Sequence, residues 1–101
     1  MICVREPKLK KEARLFRVAG RVQGVGFRFF VKHVAGELGV DGWVRNREDG
    51  SVEVYAECTS AKMEELRAAL RRGPASGRVE ELSETPTALL GRRGFTIEAS
   101  H

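Results

Sequence analysis

Nine residues, Gly20–Arg28, read Gly-Arg-Val-Gln-Gly-Val-Gly-Phe-Arg and hold the chemistry most easily recognised in the chain. Three glycines let a chain bend sharply and bring its backbone N–H groups close to a ligand. Where such a bend opens a helix, the first turn adds unpaired N–H groups and the positive end of the helix dipole. That combination suits an anion, and phosphate is the common biological one. The guanidinium of Arg28, about one residue into the following helix, supplies a full charge and a bidentate fork. The Gly20, Arg21, Val22, Gln23, Gly24, Val25 and Gly26 backbone is therefore a candidate phosphate cradle. A turn in which the glycines serve only the bend is the plainer alternative, and the arginine at its end favours the site.

The well-known phosphate loops do not match. A Walker loop needs Gly-Lys-Ser/Thr five residues after its first glycine, where this chain has Val25. The dinucleotide fingerprint needs a glycine three residues after Gly26, where Phe29 stands. No Ser, Thr or Cys lies within Gly20–Arg28, so a phosphoenzyme formed there would lack its nucleophile. No His/Cys cluster has zinc-ligand spacing, and neither histidine lies in a loop beside the cradle. What is left is to hold a phosphoryl group and position a water, which is most of what phosphoryl transfer requires. The leaving group must then depart unaided, as the carboxylate of a carboxylic–phosphoric anhydride does. Asn46, ahead of a turn, offers a carboxamide that could orient the water. An Asn at that place also commonly bonds its own backbone to help the chain reverse.

These groups need elements to hold them. Ala13–Val22 alternates as a half-buried strand, and Phe27–Leu38 places Phe27, Phe30, Val31, Val34, Ala35 and Leu38 at helical spacing. Gly39 stands where a left-handed helix cap is expected. His33 falls off the apolar stripe and reads as a surface histidine. Gly42–Asn46 and Ser51–Glu57 form a hairpin around Asp49-Gly50. Ser60–Arg72 is a second helix, capped by Thr59 or Ser60, with Met63, Leu66, Ala69 and Leu70 inward, and Gly73-Pro74 ends it. Arg78–Ser83 is a weaker strand, Pro86–Arg93 a loop, and Phe95–Ala99 a short last strand. The order predicts an α+β, ferredoxin-like βαββαβ sandwich, an antiparallel sheet with both helices on one face. In that arrangement the first two strands can lie side by side, with Asn46 facing the cradle.

With 101 residues there is room for one core. No apolar run approaches the ~20 residues of a membrane span, and Met1–Arg14 lacks the apolar segment of a signal peptide. Two cysteines, Cys3 and Cys58, make no disulfide framework and suggest reduced thiols in the cytoplasm. Of the net charge of +4, most comes from residues 1–14, where five basic residues face two acidic ones; the remainder nearly cancels. Residues 1–14 are expected to form a flexible basic extension and 15–101 the folded domain.

Gly20–Arg28, followed by Leu38-Gly-Val-Asp-Gly-Trp-Val-Arg-Asn46 and Asp49-Gly-Ser-Val-Glu53, closely resembles the acylphosphatases. The likeness continues through Gly73-Pro74, Val79 and Phe95-Thr-Ile97, and covers residues 15 to 99. It implies hydrolysis of acyl phosphates to a carboxylate and inorganic phosphate, without metal, cofactor or covalent intermediate. At matching positions it implies that Arg28 binds the phosphate, that Asn46 orients the attacking water and that the Gly20–Gly26 amides form the cradle. The bound phosphate would itself help take the water's proton. The expected partners are the small acyl phosphate and inorganic phosphate, as product and competitive inhibitor; the expected state is a monomer, with no nucleic acid and no membrane. Glu57-Cys58-Thr59 stands where the family commonly has a glycine after the third strand, a local difference only.

Two other readings exist. Gly24-Val-Gly-Phe-Arg-Phe-Phe faintly echoes an RNA-binding RNP1 pattern, but its aromatics would have to sit on a strand, and Phe27 and Phe30 have a helix's spacing. The same domain also occurs within larger carbamoyl-transfer maturation proteins, against which the short chain argues.

Overall fold

The computed structural model describes residues 10–100. Its elements are β1 (Lys11–Arg21), α1 (Phe27–Leu38), β2 (Asp41–Asn46), β3 (Val52–Thr59), α2 (Ser60–Arg72), β4 (Arg78–Thr87) and β5 (Phe95–Ile97). They build one sheet in the order β4-β1-β3-β2-β5. The first four strands are antiparallel, as expected for the ferredoxin-like sandwich, while β5 runs parallel to β2 and makes the full sheet mixed.

Alternation decides which face is covered. Phe16 and Val18 of β1, Val44 of β2, and Val52, Val54 and Ala56 of β3 share one buried cluster with Phe27, Val31 and Ala35 of α1 and Met63, Leu66 and Leu70 of α2. A helix of twelve residues is marginal by itself in water. Burying a large apolar side chain contributes about 1.5–3 kcal/mol, so the sheet is what makes these helices stable. Both helices end as their sequences suggest: Gly39 takes the left-handed conformation at φ 75°, and Gly73 follows α2. Thr59 occupies the cap position of α2 without a side-chain cap bond.

Four expectations change. First, β1 and β2 are not neighbours, because β3 lies between them. Both pair antiparallel with β3, so they run in the same direction and end at the same edge of the molecule, with Val18 and Asn46 flanking Val52. Second, β1 begins at Lys11, opposite Thr59, so residues 11–14 belong to the sheet rather than to the extension. Lys11 reaches Asp41 at 3.2 Å and Arg14 reaches Glu12 at 2.6 Å, an ion-paired start that charged residues concealed in the alternation. Residues 1–9, with Cys3, lie outside the described residues. Third, β4 continues through Pro86 to Thr87. It pairs with β1 on one side only, and such an edge strand tolerates a residue without an N–H. Fourth, the loop expected over Pro86–Arg93 is shorter, beginning after Thr87.

That loop crosses the sheet's open face from β4 to β5 at the end opposite Asn46. Its anchor is Glu57, a carboxylate 1% exposed. Glu57 Oε2 accepts hydrogen bonds from Tyr55 Oη at 2.6 Å, Leu90 N at 2.9 Å and Arg92 N at 3.1 Å. Tyr55 Oη in turn accepts from Leu90 N at 2.8 Å, and Asp41 Oδ1 accepts from Gly94 N at 2.9 Å. Burial works against the Glu57 charge, but the bonds from Tyr55 and from the Arg92, Leu90 and Gly91 amides outweigh it and hold the carboxyl below its ordinary range. Burial, with the Glu57 carboxylate beside it, pushes the Tyr55 hydroxyl up to about 12.

Candidate active site

At the other end of the sheet, β1 pairs with β3 as far as Val18, while its pairing with β4 shifts register between Ala19 and Gly20 and runs on to Arg21. Gly20 has φ 130°, and a Cβ there would stand 2.3 Å from the Arg78 carbonyl oxygen, so β4 can approach only a glycine. The chain then alternates between buried anchors and open backbone. Val22 and Phe27 enter the core, each 1% exposed. Val25 leans against the segment after α2, where Ser76 Oγ donates to the Val25 carbonyl at 2.9 Å. Gly24 and Gly26 take φ 76° and 77°, and a Cβ on either would meet nothing within 4 Å. Their requirement is conformational, and the space before them is free.

The backbone donors of this turn are unspent. Among the described residues, the N–H groups of Gln23, Gly24, Val25 and Gly26 make no hydrogen bond to the protein, while Phe30 N closes the first turn of α1 onto the Gly26 carbonyl at 3.0 Å. The successive free donors sit at the N-terminus of α1, an arrangement that attracts anions.

Arg28, in the first turn of α1, is partly exposed and takes part in none of the ion pairs among the described residues. Across the sheet, charged residues of β2 and of the hairpin are bonded among themselves or to β1. Arg45 bonds Glu53 at 2.8 Å and stacks over the Trp43 ring at 4.7 Å, and Arg47 reaches the same Glu53 oxygen at 3.2 Å. Asp49 accepts from Ser51 Oγ at 2.6 Å, Ser51 N at 2.9 Å and Arg17 at 3.1 Å, which hold its carboxyl well below the usual carboxylate range. Arg21 is exposed and lies opposite Arg78 in the β1–β4 pair. No three His, Cys, Asp or Glu side chains converge among the described residues as they would around a metal ion.

Asn46 ends β2. Its Oδ1 is buried and has no hydrogen-bond partner among the described residues. An orphaned polar atom of this kind costs about 1–3 kcal/mol, so the residue does not stand there for its contribution to folding. Val18, Val52 and Asn46 lie in line across three strands, two interstrand steps or about 10 Å from β1 to β2. The cradle rises from β1 just beyond Val18.

One contact of this region is not apparent from motif reading. Gln23, counted from sequence only for its backbone, donates its side-chain Nε2 to the carbonyl oxygens of both Arg47 and Ser51, each at 2.8 Å. A signal existed, since Gln23 is the sole carboxamide in a turn otherwise built of glycine, valine and arginine. The aromatics of the RNP1-like echo do not form a platform on the sheet. They lie on α1, with Phe27 buried, Phe30 packed against the core and Phe29 68% exposed. His33 is on the surface, 3.3 Å from Glu37 one turn later. Cys58 is a buried free thiol, and burial with the charge of Glu12 raises it to about 11.

Comparison with known proteins identifies the family. The family model described as Acylphosphatase matches residues 14–97. An acylphosphatase of Koribacter versatilis is 46% identical over 90 residues, covering 88% of this chain and 82% of that relative. The crystal structure of acylphosphatase from Bacillus subtilis superposes with a TM-score of 0.82 at 38% identity, covering 88% of this chain and 99% of the other. Full-length HypF, in a phosphate- and nucleotide-bound form, shares the fold with a TM-score of 0.85 at 23% identity over 12% of its own length.

Proposed function

The chain belongs to the acylphosphatase family and is an enzyme that hydrolyses acyl phosphates, and from that premise we propose that it does so by direct attack of a positioned water, with no metal and no covalent intermediate. In this reading Arg28 and the free N–H groups of the Gly20–Gly26 turn hold the non-bridging oxygens of the phosphoryl group. Asn46 holds the water through its carboxamide. The water oxygen forms a bond to phosphorus as the bond from phosphorus to the acyl oxygen breaks. The electron pair leaves with a carboxylate, a group stable enough to need no general acid. The water's proton passes to a phosphoryl oxygen, and carboxylate and inorganic phosphate are released. Positioning and charge stabilisation supply the acceleration.

What supports the reading most is one coincidence. The unspent N–H groups of residues 23–26 and Arg28, unpaired among the described residues, lie at the same sheet end as the orphaned Oδ1 of Asn46. The inorganic phosphate product should compete for the same cradle. Every group invoked comes from one chain, which fits a monomer, and the buried unpaired thiol of Cys58 fits the reducing cytoplasm. Gel filtration tests the former.

Hydrolysis of benzoyl phosphate in excess chelator, by wild type and by Arg28→Ala, tests the chemistry. Chelator-resistant turnover in wild type and a loss on the order of 10³-fold in the variant are expected. Turnover that collapses with chelator, a trapped phosphoprotein, or an active Arg28→Ala enzyme would each overturn it.

A further inference from the structure

The two halves of the site come from strands that do not touch. The cradle and Arg28 follow β1, Asn46 ends β2, and β3 separates them, so no β1–β2 backbone ladder sets the distance between phosphate and water. Chemistry of this type is sensitive to that distance, and a displacement of 1 Å can cost about 10²-fold in rate. We infer that the Gln23 side chain is the positioning residue that sets it, by tying the tip of the cradle to the mouth of the β2–β3 hairpin immediately after Asn46.

The bonding is specific. A carboxamide nitrogen has two hydrogens, and Gln23 Nε2 places them on two carbonyls, Arg47 and Ser51, at 2.8 Å each. Only the nitrogen end of the amide can sit between two acceptors, so the orientation follows from chemistry. The same two carbonyls already close the hairpin: Ser51 O accepts from Arg47 N at 2.8 Å, and Arg47 O from Gly50 N at 3.1 Å. Gln23 therefore docks onto a rigid turn, itself braced by Asp49 and the buried Ser51. Among the described residues, no other side-chain bond joins residues 22–26 to the hairpin. Val25, two residues on, is braced from the opposite side by Ser76. The cradle is thus held from both flanks, with the free N–H groups of residues 23–26 between them.

This inference rests on the roles proposed for Arg28 and Asn46, and its test keeps the two separable. Gln23→Met keeps the length of the side chain and removes both donors. Gln23→Glu keeps the shape, and places an acceptor between two acceptors until it is protonated. The expected result for Gln23→Met is a fall in kcat of about 10-fold or more with the inhibition constant of inorganic phosphate within about 2-fold of wild type. For Gln23→Glu, kcat relative to wild type should recover as the pH is lowered from about 8 to about 5, because the protonated acid regains one donor. Thermal unfolding of both variants establishes that the protein assayed is folded.

An unchanged kcat in Gln23→Met would overturn the inference. So would a loss of phosphate affinity equal to the loss of turnover, since Gln23 would then shape only the cradle. A Gln23→Glu profile parallel to wild type at every pH would overturn it as well. Arg28→Ala is assayed alongside. If that variant is inactive while Gln23→Met behaves as wild type, the positioning role alone has failed; if Arg28→Ala is active, the reading of the site has failed with it.

Discussion

The two ends of the sheet treat their polar groups in opposite ways. At the end where the β4–β5 connection crosses, Glu57 is buried, and the Tyr55 hydroxyl and successive amides of the loop converge on it. At the other end, among the described residues, the amides of residues 23–26 are unspent, Arg28 has no carboxylate partner and Asn46 has an unpaired oxygen. Both ends present consecutive backbone N–H groups, and in our proposal each set serves one anion. In one case the anion is the protein's own carboxylate and the result is a fixed loop. In the other the proposed anion is the substrate's phosphoryl group. Saturated polar groups contribute to stability, and groups left unsaturated mark the place where a ligand completes the structure.

Substitutions at the two ends should separate activity from stability. Arg28→Ala, with its loss of turnover on the order of 10³-fold, should change unfolding free energy by no more than about 0.5 kcal/mol, because it breaks no ion pair. Urea unfolding measures it. Glu57→Ala should do the reverse, lowering stability by about 2–4 kcal/mol by abandoning a hydroxyl and several amides in a dry site. Its turnover per folded molecule should stay within about 2-fold of wild type. A Glu57→Ala enzyme that folds normally but turns over slowly would dissolve the comparison.

Asn46→Ala sharpens it further. The loss in kcat should be about 10²-fold with phosphate inhibition retained, while stability is unchanged or slightly increased because an unpaired buried oxygen is removed. A lower phosphate affinity with kcat intact would move Asn46 from the water to the phosphate.

The smallest effect is a pH dependence belonging only to the saturated end and the core beside it. Tyr55 and Cys58 both titrate higher in the folded chain, near 12 and 11 against ordinary values of 10.0 and 9.0. Their neutral forms are favoured by folding, so the stability they contribute is fully present below about pH 9. It is lost progressively as the pH rises toward 12, because the unfolded chain gives up these protons first. Cys58→Ala and Tyr55→Phe should flatten the decline of melting temperature over that window, whereas Arg28→Ala should leave its slope unchanged.

Much of the candidate-site end was legible in the sequence, because its determinants are local. Gly24 and Gly26, the strand before them and the apolar stripe after them announce a strand–turn–helix regardless of tertiary context, and Asp49-Gly50 announces the hairpin. The resemblance in Gly20–Arg28 and Leu38–Asn46 then suggested the family. The opposite end was not legible. Glu57 reads simply as the polar side of an alternating strand, because its partners are backbone amides of residues more than thirty positions later, and amides leave no trace in residue type. The place of β3 between β1 and β2 is likewise a property of the assembled sheet. So is the second role of Gln23, whose two acceptors are carbonyls. Pro86 was misleading for a different reason: it excludes an interior strand, but β4 lies on the edge.

That edge has a consequence for how molecules of this protein meet one another. A sheet with open sides can be extended by any chain that presents an unpaired strand, and crowded solutions reward such additions. One side here ends in β5, three residues long, too short a template to hold a newcomer. The other is the ten-residue β4, where Glu80 and Glu81 stand exposed and Pro86 offers no donor. A second copy laid antiparallel along it would bring acidic side chains against acidic side chains and lose a rung of the ladder at proline. The sequence of β4 thereby works against fibrous self-association as well as closing the fold.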